Sequence, residues 1–262
     1  MGLKICVLGS GSKGNCTCVW SEKTALLIDV GLSLSRIEKC LSLFGIDPYS
    51  ITILLTHTHT DHVSGLEKFV KKYNNEVYVQ DVSYYTLFDK CNIYTGNVCR
   101  FTGSEFFVGD ITVVPEKLSH DVPCVGYSLV CNGKKISFAT DTGKLTDRTV
   151  TRFSDADLVV LESNHDEDML RNSTKYSAFL KQRILSDRGH LSNATASDCA
   201  VKLAMSGVRQ FILAHLSQEN NIPELAFATV RDKLSQHGYI EGKDVCIEVA
   251  LQERMSGLFE IK

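Results

Sequence analysis

The sequence contains no run approaching the roughly 18 consecutive apolar residues that a helix needs to cross a bilayer, so no transmembrane helix and no membrane partner are expected. The N-terminal stretch Met1-Gly-Leu-Lys-Ile-Cys6 has no apolar signal-peptide core and runs straight into a strand pattern. An excess of one charge is also lacking: 28 Lys and Arg against 31 Asp and Glu give a formal net charge of −3. That balance disfavours a protein that coats nucleic acid through a strongly basic surface, although a local basic patch or bound metal can still draw a phosphate backbone. No Pro/Gly-rich linker, short-period repeat or low-complexity segment divides the chain, so one domain over residues 1–262 is expected.

Cysteine is the residue present in excess, with ten copies. Most lie inside apolar segments, where free Cys acts as a small hydrophobe. Cys16-Thr-Cys18 is too tight for a zinc knuckle, and no second close pair follows. Free thiols in a reducing cytoplasm are therefore expected.

Hydrophobic residues make up 44% and charged residues 23%, enough to bury a sizeable core without cross-links. Apolar or alternating stretches predict strands at 3–9, 16–20, 24–29, 51–55, 77–79, 106–108, 111–114, 125–130, 135–140, 158–161, 210–214 and 245–250. Helical spacing predicts helices over 33–44, 64–72, 81–89, 175–187 and 194–206. A last helix runs to about 235, opened by a capping box of Asn221 and Glu224 with Pro223 in its first turn. Asn132-Gly133 marks a hairpin turn. Strands followed by helices in both halves predict an α/β fold, an αββα sandwich of two mixed β-sheets flanked by helices.

Gly9-Ser-Gly11-Ser-Lys-Gly14 matches the dinucleotide-binding pattern after a strand, and Asp29 stands where a ribose-binding acid would. Such a loop must open a helix, whereas Asn15–Trp20 is β-branched and alternating. A tight turn is the better reading, either a plain hairpin or one that carries backbone N–H groups toward a site.

The segment Thr56-His57-Thr58-His59-Thr60-Asp61-His62 follows the apolar strand at 51–55, at the strand end where ligands gather in α/β proteins. Core packing does not explain three histidines and an aspartate so close together. His57 and His59 are two apart on extended chain and point the same way; Asp61 and His62 follow a turn and can face a second point. Imidazole with carboxylate suits Zn, Mn or Fe. The cluster has too many donors for one ion and too few for two. His120, Asp141 and His215, each at the end of a strand pattern, can supply the rest, and a carboxylate at Asp141 can bridge two ions.

This set of residues resembles the metallo-β-lactamase superfamily. The family's H-x-H-x-D-H motif is matched by His57, His59, Asp61 and His62, its later histidine by His120, its bridging aspartate by Asp141 and its last histidine by His215. Asp29 matches an early aspartate that orients the motif rather than binding metal. The resemblance implies two divalent ions, Zn or Mn with Fe a further option. One would lie near His57, His59 and His120, the other near Asp61, His62 and His215, with Asp141 shared. The runs TDTG at 140–143, LESNHD at 161–166, GHLSN at 189–193 and AHLSQENN at 214–221 narrow the likeness to the YycJ/WalJ-type subgroup. That subgroup implies a DNA-directed exonuclease, or at a coarser level a metallohydrolase. GHLSN is also similar to the phosphodiesterase branch, where the histidine at the position of His190 faces the scissile phosphate.

In that reading a metal-activated hydroxide attacks the phosphorus. Asp61 orients the hydroxide or takes its proton, and His190 stabilises developing charge or protonates the leaving oxygen. Asn193, near the start of the 194–206 helix, offers an anion site or serves as a cap. His165, beside Glu162 after the strand at 158–161, pairs behind the site or touches substrate. Lys71-Lys72 and Lys181-Gln-Arg183 are solvated helix faces or a basic rim. The long arm of tRNA-processing relatives and the ligand patterns of true β-lactamases are absent, so neither activity is expected. DNA is the expected partner. The alternative is a small-molecule substrate, such as a lactone, thioester or cyclic phosphodiester.

Overall fold

The computed structural model describes residues 2–261. Strands β1 (Leu3–Gly9), β2 (Cys16–Trp20) and β3 (Ala25–Ile28) form an antiparallel meander. Strands β4 (Ile51–Leu54), β5 (Val77–Gln80) and β6 (Val98–Phe101) then add in parallel. Parallel neighbours need crossovers. These contain α1 (Leu34–Leu43), then α2 (Thr60–Val63) with α3 (Leu66–Tyr73), then α4 (Tyr84–Lys90).

The second sheet starts with the antiparallel pair β7 (Phe106–Val108) and β8 (Ile111–Leu118). Next come β9 (Cys124–Cys131) and β10 (Lys134–Ala139), joined at Asn132 and Gly133. Both turn residues have positive φ, 50° and 75°, as the Asn-Gly signal requires. Strands β11 (Leu158–Glu162), β12 (Gln210–Ala214) and β13 (Cys246–Val249) extend this sheet in parallel. Their crossovers hold α5 (Asp147–Phe153), then α6 (Glu167–Asn172), α7 (Ala178–Ile184) and α8 (Asn193–Met205), then α9 (Pro223–Gln236). Finally β14 (Phe259–Ile261) pairs antiparallel with β1. The orders are β14-β1-β2-β3-β4-β5-β6 and β13-β12-β11-β10-β9-β8-β7. Two mixed seven-stranded sheets flanked by helices are the αββα class expected from the sequence.

The chain falls into two compact units. One comprises the chain up to Pro115, Leu129–Lys134 and the stretch from Gln252; the other comprises Glu116–Ser128 and Lys135–Leu251. In the first, Ile37, Leu41, Phe69 and Val70 of α1 and α3 share a buried cluster with Cys18, Leu27 and Ile53 of the sheet. In the second, Ala200, Leu203, Val230 and Leu234 of α8 and α9 share one with Val159, Leu161, Phe211 and Leu213. Each buried Leu- or Phe-sized side chain contributes roughly 1.5–3 kcal/mol, so apolar faces rather than propensity hold these helices.

Sequence pattern overlooked α5, α6, β6 and β14. Helix α5 buries only Thr149 and Phe153, and α6 only Leu170, so neither shows an apolar stripe. The helix expected over 175–187 is confined to Ala178–Ile184. The capping-box reading is corrected: the N-cap of α9 is Ile222, while the Asn221 amide donates to the carbonyls of Ser163 and Asn164 instead. All ten cysteines are free, eight of them buried, and burial pushes the Cys16 and Cys18 thiols up. Among the described residues, no helix is long and apolar enough to cross a membrane.

Candidate metal centre

Three of the acidic and histidine positions read from the sequence follow strand ends in the left-handed region. Asp29 comes directly after β3 with φ 60°, Asp141 two residues after β10 with φ 59°, and His215 directly after β12 with φ 58°. Such backbone costs a non-glycine residue about 1–3 kcal/mol and persists where its surroundings fix it. The sharp turn ends each strand and redirects the chain at the residue with chemistry.

In the first unit, His57 and His62 are buried and His59 is half-buried. The ring of His57 lies 4.6 Å from that of His59 and 4.1 Å from that of His62, centroid to centroid. Asp29 organises them from behind. Its Oδ1 accepts from the Thr56 N–H at 2.9 Å; its Oδ2 accepts from Thr56 Oγ1 at 2.8 Å and from His62 Nδ1 at 2.7 Å. Since the Thr56 hydroxyl proton goes to Asp29, its oxygen accepts from His57 Nδ1 at 3.0 Å. Both imidazoles are thereby held with Nδ1 protonated, which leaves the Nε2 lone pair as the donor for a metal.

Asp61, in α2, is fixed by a residue that sequence reasoning passed over. Asn15 Nδ2 lies 3.0 Å from Asp61 Oδ2 and 3.1 Å from His62 Nε2, and the Asn15 main-chain N–H donates to Asp61 O at 2.8 Å. The Gly9–Gly14 turn thus delivers an amide to the histidine motif. A Cβ on Gly31 would come within 1.7 Å of Asp61 O, so only glycine fits against this turn. The signal was available in the rejected nucleotide pattern: a glycine-rich turn after a strand that opens no helix still brings chain close to something.

In the second unit, His120, Asp141 and His215 are buried and His190 is half-buried. One ligand atom from each of Asp141, Glu162, His190 and His215 lies within 4.8 Å of the others. Glu162, fully buried at the end of β11, is the hub. Its Oε1 accepts from His190 Nδ1 at 2.8 Å and His215 Nδ1 at 2.9 Å; its Oε2 accepts from the N–H groups of Thr142 at 2.9 Å and Leu191 at 3.2 Å. Burial alone would raise this carboxyl, but the His190 charge and the two imidazole hydrogen bonds hold it well below the ordinary carboxylate range. With four donors on two oxygens, Glu162 orients both histidines. His120 follows the same rule: its Nδ1 donates to Gly189 O at 3.1 Å, and its Nε2 lies 3.2 Å from Asp121 Oδ1 and 3.9 Å from Asp141 Oδ1. Burial lowers the His120 pKa, favouring the neutral ring that can ligate.

Two further sequence-derived residues are placed deeper. Ser192 is the N-cap of α8, while Asn193 forms a reciprocal amide pair with Asn221 at 2.9 Å and accepts from Ser163 Oγ at 2.7 Å. It ties the chain behind His190. His165 is 1% exposed, and among the described residues neither ring nitrogen has a hydrogen-bond partner. Its carbonyl accepts from the Asn193 N–H at 2.8 Å, and burial lowers its pKa to about 4.

These imidazole and carboxylate donors give the chain capacity for one or two divalent ions, the equipment of a metal-dependent hydrolase. The model of the family described as "Beta-lactamase superfamily domain" matches residues 26–216. The chain is 33% identical over 269 aligned residues to "Exodeoxyribonuclease WalJ" of Streptococcus pneumoniae serotype 2 (strain D39), covering 100% of this chain and 99% of the relative. It is 35% identical over 247 residues to "Exodeoxyribonuclease YycJ" of Bacillus anthracis, covering 93% of each. Among solved structures, the metallo-β-lactamase fold protein YhfI of Bacillus subtilis matches with a TM-score of 0.73 at 15% identity, covering 99% of this chain and 100% of that one.

Proposed function

The chain belongs to the metallo-β-lactamase superfamily, and on that premise we propose that it is a phosphodiesterase that trims DNA ends with two divalent ions, Zn or Mn. We assign one ion to His57, His59 and His120 and the other to Asp61, His62 and His215, with Asp141 common to both. The donor chemistry fits. His57, His62, His120 and His215 each have Nδ1 engaged by Thr56, Asp29, Gly189 O and Glu162 respectively, so each offers Nε2. Bound ions would supply Lewis acidity and a water of lowered pKa.

The observation that carries the reading is His190. Glu162 holds it through Nδ1 at 2.8 Å, and the six ring and carboxylate groups beside Asp141 fill the ligand set without it. A half-buried imidazole oriented by a carboxylate, with Nε2 left over, is a general acid. As the phosphorus–oxygen bond breaks, the Nε2 proton passes to the leaving oxygen, and Glu162 stabilises the imidazolium that gave it. Asp61, steadied by Asn15, orients the attacking water and takes its proton. DNA is the substrate that the two relatives' names support.

The test is metal-loaded protein incubated with end-labelled single- and double-stranded DNA, beside bis(p-nitrophenyl) phosphate and a lactone. Release of nucleotides from DNA ends is expected. Turnover of the lactone alone would make this a small-molecule hydrolase and remove the phosphodiester reading.

A further inference from the structure

His190 and His120 are bracketed by Arg188, a residue outside the ligand set. Its guanidinium is exposed, yet it does not wander: Nε donates to His120 O at 3.1 Å and Nη2 donates to Asp121 O at 3.1 Å. The segment around it is pinned as well. Ser119 Oγ donates to Asp187 O at 2.7 Å, His120 Nδ1 donates to Gly189 O, and a Cβ on Gly189 would come within 2.1 Å of Ile184 O. The neighbouring cations are neutralised, Arg183 by Asp121 at 3.0 Å and Lys144 by Asp187. Arg188 has no acidic partner among the described residues. Main-chain carbonyls hold it without cancelling its charge, and the residue is exposed.

We propose that Arg188 binds the phosphate next to the scissile one, so that this site selects a polynucleotide over a substrate with a single phosphate. The inference rests on the phosphodiesterase reading above. A planar guanidinium with parallel N–H groups matches phosphate oxygens in pairs, and an arginine already immobilised loses little freedom on binding. Its place supports a neighbouring phosphate rather than the reacting one. The guanidinium meets His120 through the main-chain carbonyl, a side chain's length from the imidazole Nε2 that approaches Asp141. The reacting bond of a lactone or thioester has no phosphate beside it, and a cyclic mononucleotide has no second phosphate.

The experiment uses full-length, metal-loaded protein with two substrates: a short single-stranded deoxythymidine oligomer, and bis(p-nitrophenyl) phosphate, whose phosphate has no neighbour. Arg188→Ala should lower kcat/KM on the oligomer by about 10–100-fold, chiefly through KM, and at least about tenfold more than on the small substrate. Arg188→Lys, which keeps charge but not the fork, should restore part of that loss. Fluorescence anisotropy with a phosphorothioate oligomer should show weaker binding by Arg188→Ala, and a salt dependence shallower by about one phosphate contact. Equal losses on both substrates, a fall in metal content, or unchanged oligomer binding would overturn the proposal and make Arg188 a brace for the His120 backbone. Were wild-type protein to hydrolyse neither substrate, the phosphodiesterase reading would fall. The anisotropy comparison would still decide the role of Arg188: weaker binding by the alanine variant supports it, equal binding refutes it.

Discussion

Glu162→Gln is the substitution that most sharply tests how the second unit is organised. The side chain keeps its volume but replaces one acceptor oxygen with a donor. Glu162 accepts four hydrogen bonds, two on each oxygen. If the new amide nitrogen takes the Oε2 place, the buried N–H groups of Thr142 and Leu191 lose their acceptor. At about 1–3 kcal/mol for each orphaned donor, that is on the order of 2–6 kcal/mol. If it takes the Oε1 place, both imidazoles must turn Nδ1 into an acceptor and carry their proton on Nε2. His215 then cannot ligate, and His190 can no longer form a stabilised imidazolium. Rotation of the amide therefore relieves one fault only by creating the other. The assays are chemical denaturation of the metal-free protein, metal affinity by chelator competition, and turnover of bis(p-nitrophenyl) phosphate. We expect stability to fall, metal affinity to drop about 10–100-fold, and turnover to drop by at least about 10². Wild-type affinity together with wild-type turnover would refute the assignment of Glu162 as the group that sets both histidine tautomers.

Further outcomes follow from other sites. Asp29→Ala leaves Thr56 and His62 without their shared acceptor, so bound metal measured by elemental analysis after dialysis should fall below the wild-type ratio. Gly31→Ala drives a methyl into Asp61 O, and thermal unfolding should report a loss of about 1–3 kcal/mol or more. His165 is held neutral, its pKa about 4 against an ordinary 6.5. The unfolded chain takes up the proton first as pH falls, so the stability linked to His165 is complete above pH 6.5 and is lost on descent to about 4. His165→Leu should narrow the difference in unfolding free energy between pH 7.5 and pH 4.5 by about 2–3 kcal/mol; an undiminished difference would place the acid sensitivity elsewhere.

The residues that could be read directly were those whose chemistry is costly to bury without purpose. The histidine run at 57–62 stands out because apolar packing cannot account for it, and the strand before it, Ile51–Leu54, is apolar enough to be recognised. The sheets were legible for the same reason, since buried strands such as β11 are continuous apolar runs. What escaped was whatever depends on long-range proximity. Asn15 and Asp61 are 46 positions apart, and Glu162 reaches His215 across 53. Glu162 stands three residues before His165 in the sequence, yet its carboxylate accepts from His190 and His215, and among the described residues neither His165 ring nitrogen has a hydrogen-bond partner. Asn193 reads as an anion site or a cap from its helix-start position; its partner Asn221 comes from the next crossover, beyond β12. Helices α5 and α6 were invisible because they bury one or two side chains each.

The central claim is that His190 performs phosphodiester chemistry without holding metal. The direct measurement is kcat on bis(p-nitrophenyl) phosphate beside metal stoichiometry, for His190→Ala and His57→Ala. We predict that His57→Ala loses metal, whereas His190→Ala keeps its metal and fold and loses turnover by about 10²–10⁴. Near-normal turnover by His190→Ala at full metal occupancy would contradict the account and leave a metallohydrolase whose reaction does not use this histidine.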